Sequence, residues 1–177
     1  MARPKGNKTY TNKITMSQYL RLIDVLEVRE RKIKFSKVKS TTFIELHKIH
    51  NIRATITILA YAGIKIHQVS QITLKDIREA VNSQKLLNIN IGDKGASTLL
   101  NVFSHFLNDY DNTYAIRRFN KPYNSLSTDY LQQMVNSFLK EVLGDGFTSY
   151  SFRRNFYKKI ILFRGDVPTH TTIQQMR

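Results

Sequence analysis

The chain is organised around the stretch LAYAGIKIHQV, residues 59–69. It closes a longer segment, residues 42–61, whose apolar side chains recur at helical spacing. Gly63 suits the left-handed residue that ends a helix, and residues 66–72 are predicted to form a second, short helix. The β-branched run at residues 55–58 opposes helix formation locally, because branched side chains lose rotamers in a helix. A long helix, a sharp turn and a short helix are therefore predicted here.

Helices are also predicted on the N-terminal side of this turn and directly after it. Thr15 and Gln18 fit a capping box, in which a side-chain oxygen at the N-cap is followed three residues later by glutamine. An apolar repeat at helical spacing follows them. The charge-dense residues 28–40 lack a period and are predicted to form a loop or a frayed helix end. Thr73 is placed to cap another helix.

The middle of the chain carries the β signal. Residues 87–91 alternate apolar and polar side chains, as a half-buried strand does. Residues 92–95 have turn chemistry, and residues 98–102 are predicted to be the returning strand. Residues 104–109 are predicted to be helical and residues 111–125 to form a loop. The fold class is therefore mainly α with a small antiparallel β hairpin or sheet.

The last third of the chain is predicted to be helical. Ser127 is placed to cap an amphipathic helix that reaches about Leu143, with Tyr130 among the side chains expected to point inward. A further helix is predicted over residues 152–163, and residues 172–176 are predicted to begin another.

Composition and charge favour a nucleic-acid partner. The 177 residues suit a flexible basic arm, residues 1–13, followed by one domain, residues 14–177. With 41% hydrophobic residues the chain can bury a core. Its formal net charge of +15 attracts polyanions and gives salt-dependent attachment to a phosphate backbone. A membrane surface would favour one basic amphipathic helix, whereas these cations are spread over several segments.

Several classes of site are excluded by the same composition. Cysteine is absent, and the histidines show no ligand spacing beyond His47 and His50, so we expect no metal site. No glycine-rich phosphate loop is present, and we expect no cofactor. No signal sequence and no apolar stretch of about 20 residues is found. We therefore expect an intracellular protein, cytoplasmic or associated with the nucleoid, that does not bind membranes.

Four short segments, taken in order, resemble the conserved boxes of one enzyme family. Residues 63–69, GIKIHQV, resemble the Gly-Leu-Arg-x-Ser-Glu-Leu box of tyrosine recombinases of the lambda-integrase type. Residues 72–77 resemble the family's Leu-Thr-Trp-x-Asp-Ile, and residues 126–131 its Leu-Ser helix start. Residues 150–154, YSFRR, resemble its His-x-Leu-Arg-His box. The resemblance implies a fold like the catalytic domain of a tyrosine recombinase.

The resemblance also implies a phosphate site. In the family a tyrosine attacks the scissile phosphate, two arginines hold its non-bridging oxygens, and a lysine and a histidine transfer protons. The matching positions are Lys65, Lys94 in the predicted hairpin turn, Tyr150 and Arg153. Without the ordered boxes, Lys65 and Lys94 would be interpreted as ordinary solvated lysines.

The chain departs from the family at most of these positions, so no catalytic set is intact. Lys65 stands where the family has its first arginine, which loses the bidentate geometry of a guanidinium. Gln68 stands in place of a carboxylate, and Tyr150 in place of a proton-transferring histidine or lysine. The family's nucleophile would lie beyond Arg177, and Tyr157 is interpreted as a packing residue. Since losing one oxyanion donor costs about 10²–10³ in rate, we expect no covalent catalysis by this chain alone.

The resulting hypothesis is a catalytically inactive protein that binds double-stranded DNA on a recombinase-like scaffold. Its role would be in regulation, in replication, or as an accessory to DNA recombination and integration. Besides the phosphate site, the cations expected to contact DNA are Arg29, Arg31, Lys32, Lys34, Arg117, Arg118 and Arg154.

Two alternatives stay open from the sequence. One is a truncated site-specific recombinase that a missing segment or a partner chain completes. The other is an RNA-binding module, although the aromatic strand pattern and the Gly-x-x-Gly loop of common RNA-binding folds are absent. The family's second DNA-clasping domain has no counterpart before the first helix, so a homodimer or a partner recombination or replication protein is expected.

Overall fold

The computed structural model describes residues 12–153, which are mainly helical. In chain order the elements are α1 (Met16–Phe35), α2 (Thr42–Ala62), α3 (Ile66–Val69), α4 (Leu74–Ser83), β1 (Lys85–Leu86), β2 (Ile89–Asn90), α5 (Gly92–Phe103), β3 (Arg117–Arg118), β4 (Lys121–Ser125), α6 (Thr128–Leu143) and α7 (Tyr150–Arg153). Strands β1 and β2 form one antiparallel pair, and β3 and β4 form another. The predicted class, mainly α with a small antiparallel β component, is confirmed.

Some predictions fall outside the described residues. They concern Arg154, Tyr157, the end of the helix predicted over residues 152–163, the segment 172–176, and the basic arm as far as residue 11.

Helix α2 lies at the centre of the fold. Every residue from Ala54 to Ala62 is buried, and α2 packs against α1, α3, α5, α6 and α7. The second half of α2 is surrounded by other helices, so its β-branched run at residues 55–58 is stabilised by tertiary packing. The helix ends at Gly63, whose φ of 63° is left-handed and whose N–H donates to the carbonyl oxygen of Leu59 at 3.0 Å. The predicted long helix and its glycine end are confirmed.

The predicted capping box at the start of α1 is confirmed. The N–H of Gln18 donates to Thr15 Oγ1 at 3.2 Å, and the N–H of Thr15 donates to Gln18 Oε1 at 2.9 Å. Thr73 caps α4 in the same way, with Asp76 as its partner.

Helix α1 is longer than predicted, because the charge-dense segment is helical as far as Phe35. The first eight of residues 28–40, predicted to form a loop or a frayed helix end, are instead the regular last turns of α1. The carboxylate of Glu30 accepts from Lys34 Nζ at 2.5 Å, one helical turn along, and from Arg53 Nη2 on α2 at 2.6 Å. The contact with Arg53 stabilises the helix end from outside, which a search for local periodicity could not detect.

The β prediction in the middle of the chain has the wrong register. The hairpin turn is Leu87-Asn88, both at positive φ, and the strands pair Leu86 with Ile89. Residues 92–103, predicted as a turn and a returning strand, form helix α5. Its buried side chains Ala96, Leu99 and Phe103 follow helical spacing and face the core.

The segment after α5 also differs from expectation. Residues 104–109 form turns instead of the predicted helix, and the predicted loop at 111–125 contains β3 and β4. This segment is held to the start of α4, because the N–H of Leu74 donates to the carbonyl oxygen of Thr113 at 2.9 Å. The segment is therefore fixed against the start of α4.

Helix α6 confirms the last helical prediction. Ser127 Oγ accepts from the N–H of Tyr130 at 3.3 Å, and the helix ends at Leu143, before Gly144. The inward placement predicted for Tyr130 is wrong, since its side chain is 49% exposed.

Gly95 allows α5 to pack closely on α2, and this contact is testable. A Cβ at position 95 would lie 2.8 Å from Ile91 Cβ and 3.1 Å from Tyr61 Cδ1, and both of these residues are buried. We expect Gly95→Ala to lower the free energy of unfolding by about 1–3 kcal/mol, despite the helix preference of alanine. Urea denaturation would measure it. Ser97→Ala, at an exposed position of the same helix, is the matched control, and equal stability of the two variants would contradict the packing.

Candidate nucleic-acid interface

Three of the four residues assigned to the phosphate site line one small cleft. Lys65, Tyr150 and Arg153 contribute to a cleft of about 120 Å³, together with Thr128 and Gln132 of α6. The segments concerned are far apart in the sequence. They meet because α3, α6 and α7 each pack against α2, and α3 also packs against α6. We call this site the Lys65 cleft.

Lys65 is presented to solvent by the turn that follows α2. Its neighbours Ile64 and Ile66 are buried, so the lysine between them is exposed. It is the N-cap residue of α3, and its N–H donates to Gln68 Oε1 at 2.9 Å. Gln68 therefore caps α3. The resemblance would place at this position a carboxylate that orients the family's first arginine.

Arg153 lies at the other wall of the Lys65 cleft, in α7. Ser151 and Phe152 are buried, while Tyr150 and Arg153 are exposed. The entry to α7 is fixed to α6, because the N–H of Ser149 donates to Asn136 Oδ1 at 2.8 Å. Within the described part of the chain, neither Lys65 nor Arg153 forms an ion pair.

Lys94 lies elsewhere. It is exposed in the first turn of α5 and does not line the Lys65 cleft. The prediction that it occupies a hairpin turn is wrong, because the turn of that hairpin is formed by Leu87 and Asn88. The start of α5 nevertheless lies against the last turn of α2, where the ring of Tyr61 approaches Gly95.

The other cations predicted to contact DNA fall into two groups. Four of them form ion pairs: Arg29 with Glu141, Arg31 with Glu27, Lys34 with Glu30, and Arg117 with Asp109. Lys32 and Arg118 are exposed and form no ion pair within residues 12–153. The ion pairs reduce the charge that the first group can offer to DNA.

Arg117 connects several structural elements. Its side chain is only 11% exposed, and its guanidinium lies 4.8 Å from the centre of the Phe106 ring. Its carbonyl oxygen accepts from His47 Nε2 at 2.8 Å and from Asn51 Nδ2 at 2.9 Å. Arg117 therefore attaches β3 to α2, a role that its position in a predicted loop did not indicate.

A second cleft, of about 320 Å³, was not predicted from the sequence. Lys48 of α2 and Arg118 of β3 line it, together with Tyr130 and Met134 of α6. Since α6 advances about 100° per residue, Tyr130 and Met134 point away from Thr128 and Gln132. The two clefts consequently lie on opposite sides of the first turns of α6. Lys48 belongs to no sequence motif. Only its exposed position on the predicted helix over residues 42–61 could have indicated it as a surface cation.

The described residues contain no group of three or more histidine, aspartate or glutamate side chains that could hold a metal ion. None of the helices in residues 12–153 combines the length and the apolar character needed to cross a bilayer. Comparison of the chain with protein-family models, with curated proteins and with solved structures gives no match.

His50 gives the structure a testable pH dependence. Burial, and then the neighbouring His47 and the guanidiniums of Arg53 and Arg117, lower the pKa of His50 to about 3. In the unfolded chain its pKa is about 6.5, so between these values the unfolded state binds the extra proton. The stabilising contribution of neutral His50 is complete above about pH 6.5 and is lost as the pH falls.

We therefore expect the free energy of unfolding to decrease below about pH 6.5 by up to about 1.4 kcal/mol per pH unit from this residue. His50→Phe keeps a ring against Phe103 and Phe106. It should reduce the pH dependence of the free energy of unfolding by up to about 1.4 kcal/mol per pH unit, which corresponds to one proton. Chemical denaturation at pH 7, 6, 5 and 4.5 measures both proteins. Identical slopes would contradict the assignment.

Proposed function

We propose that this protein binds double-stranded DNA without cutting it, on a scaffold that resembles the catalytic domain of a tyrosine recombinase. The observation that carries this proposal is the Lys65 cleft, where Lys65, Tyr150 and Arg153 come together from two distant segments. These are the segments whose motifs resemble the two arginine boxes of the family.

The cleft suits a phosphate oxygen. Its two cations are exposed and form no ion pair among the described residues, and the hydroxyl group of Tyr150 can donate a hydrogen bond. The first turn of α6, next to it, carries the partial positive charge of a helix N-terminus, partly offset by Asp129. Lys48 and Arg118 lie on the other side of this turn. Successive phosphates along one strand could therefore contact both sides of α6.

The same geometry supports binding rather than catalysis. A lysine at position 65 supplies charge but cannot hold two phosphate oxygens through a planar fork. Gln68, which caps α3, offers no carboxylate to orient it. A protein with these features would occupy DNA and leave the phosphodiester intact, as a regulatory, replication or accessory recombination factor does. Binding as a homodimer or beside a partner recombination or replication protein would enlarge its DNA contact.

The proposal predicts that Lys65→Ala and Arg153→Ala each weaken binding to duplex DNA about 5-fold at low salt, because each removes a charge-assisted contact to phosphate. Each should also reduce the slope of log affinity against log salt concentration by about 1. Fluorescence anisotropy of a labelled duplex, repeated at several salt concentrations, measures both quantities.

Lys140→Ala is the matched control, since it removes one charge at the opposite end of α6, where Lys140 pairs with Asp145 at 3.1 Å. It should change affinity less than twofold. Absence of duplex binding by the wild type at low salt, or equal effects of all three substitutions, would refute the proposal.

A further inference from the structure

A large groove lies between α1, α2 and the segment that follows α5. Its volume is about 1060 Å³, at the upper end of the range for ligand pockets. It shares no lining residue with the Lys65 cleft. His47, Arg117 and Phe119 separate it from the 320 Å³ cleft and line both. None of the residues of the Lys65 cleft, and neither Lys48 nor Arg118, lines this groove. Lys34 and Arg117 do line it, but both form ion pairs.

Aromatic rings with exposed faces line the groove. Phe43 is 59% exposed, Tyr110 77% and Tyr123 55%. Deeper in the groove, the ring of Phe119 lies 5.7 Å from that of His47. Single exposed apolar side chains are normal on a protein surface, whereas several around one concavity mark a site where a partner binds.

The groove is also cationic and contains polar atoms without partners. Four cations line it, Lys34, Arg53, Arg117 and Lys121, against two acidic residues, Glu30 and Asp109.

Four buried side-chain atoms lack a hydrogen-bond partner within residues 12–153, and two of them are Arg53 Nε and Arg117 Nη1. A third, Asn51 Oδ1, belongs to the wall of the neighbouring cleft. A buried donor without an acceptor costs about 1–3 kcal/mol. The Nη2 atoms of these guanidiniums are engaged, since Arg53 pairs with Glu30 and Arg117 with Asp109.

We propose that this groove is a second nucleic-acid site that binds unpaired nucleotides of a single strand. Bases stack on Phe43, Tyr110 and Tyr123, while the phosphates face Lys121, which is exposed and forms no ion pair within residues 12–153. Lys34 lies beside it in the lining but pairs with Glu30. Exposed aromatic side chains combined with cations in one groove are the means by which proteins hold single strands. In duplex DNA the faces of the bases are stacked on one another and cannot contact the groove. An acidic peptide offers anions but has no planar groups that stack on several aromatic rings. The groove therefore fits an unpaired strand best.

The test compares two labelled ligands on the full chain by fluorescence anisotropy. One is a thymidine decamer, and the other is a decamer with the same phosphates but abasic sugars. We expect the thymidine decamer to bind at least 5-fold more tightly, because only this ligand can stack. Phe43→Ala and Tyr123→Ala should each weaken its binding about 5-fold and leave abasic and duplex binding within twofold. Tyr123→Phe, which keeps the ring, should bind as the wild type does.

Phe35→Ala is the matched control, since Phe35 is 88% exposed and does not line the groove. It should leave binding of the thymidine decamer unchanged. Equal binding of the two decamers, an equal loss in Phe35→Ala, or displacement of the decamer by polyglutamate at the same phosphate-equivalent concentration would overturn the assignment. Lys65→Ala and Arg153→Ala change the separate Lys65 cleft. Their effect on duplex binding therefore tests the proposed function independently of the single-strand site.

Discussion

The burial of α2 is the constraint on which the rest of the structure depends. Ile56 and Ile58 have no exposed surface, and full burial of such a side chain contributes about 1.5–3 kcal/mol. Five other helices cover this one helix, so its direction and its end determine where they can lie. Gly63 is that end, because a residue with a Cβ would be strained at its φ of 63°. Lys65 follows two residues later and is exposed between the buried Ile64 and Ile66.

The positions of the proposed binding sites follow from this arrangement. The end of α2 places Lys65 beside α7, and the first turns of α6 lie between the Lys65 cleft and the cleft of Lys48 and Arg118. The N-terminal half of α2 instead faces the large aromatic groove through His47 and Arg53. Helix α2 thus lies behind both a cleft of about 120 Å³ near its end and a groove of about 1060 Å³ beside its N-terminal half. This separation is why we propose duplex binding at the first and single-strand binding at the second.

The sequence predicted the features that depend on local chemistry. The capping pair Thr15 and Gln18, the end of α2 and the cap at Ser127 each need only neighbouring residues, and all are found in the structure. The errors come from contacts distant in sequence. Glu30 of α1 pairs with Arg53 of α2, and Gly95 lies in a helix that packs closely against Tyr61, a contact that its missing Cβ allows. Of the candidate site, motif resemblance grouped Lys65, Lys94, Tyr150 and Arg153, and all of these but Lys94 line the Lys65 cleft. The network of Arg117 and the cleft at Lys48 require tertiary structure.

The most direct test of the central claim is an NMR titration of the full chain with a short duplex, following backbone amides. The account predicts that the largest shifts occur at Lys65, Gln68, Tyr150 and Arg153 and in the first turn of α6, and that they diminish as salt is added. Shifts confined to the far end of α6 around Lys140, or no shift at low salt, would show that the Lys65 cleft does not receive DNA.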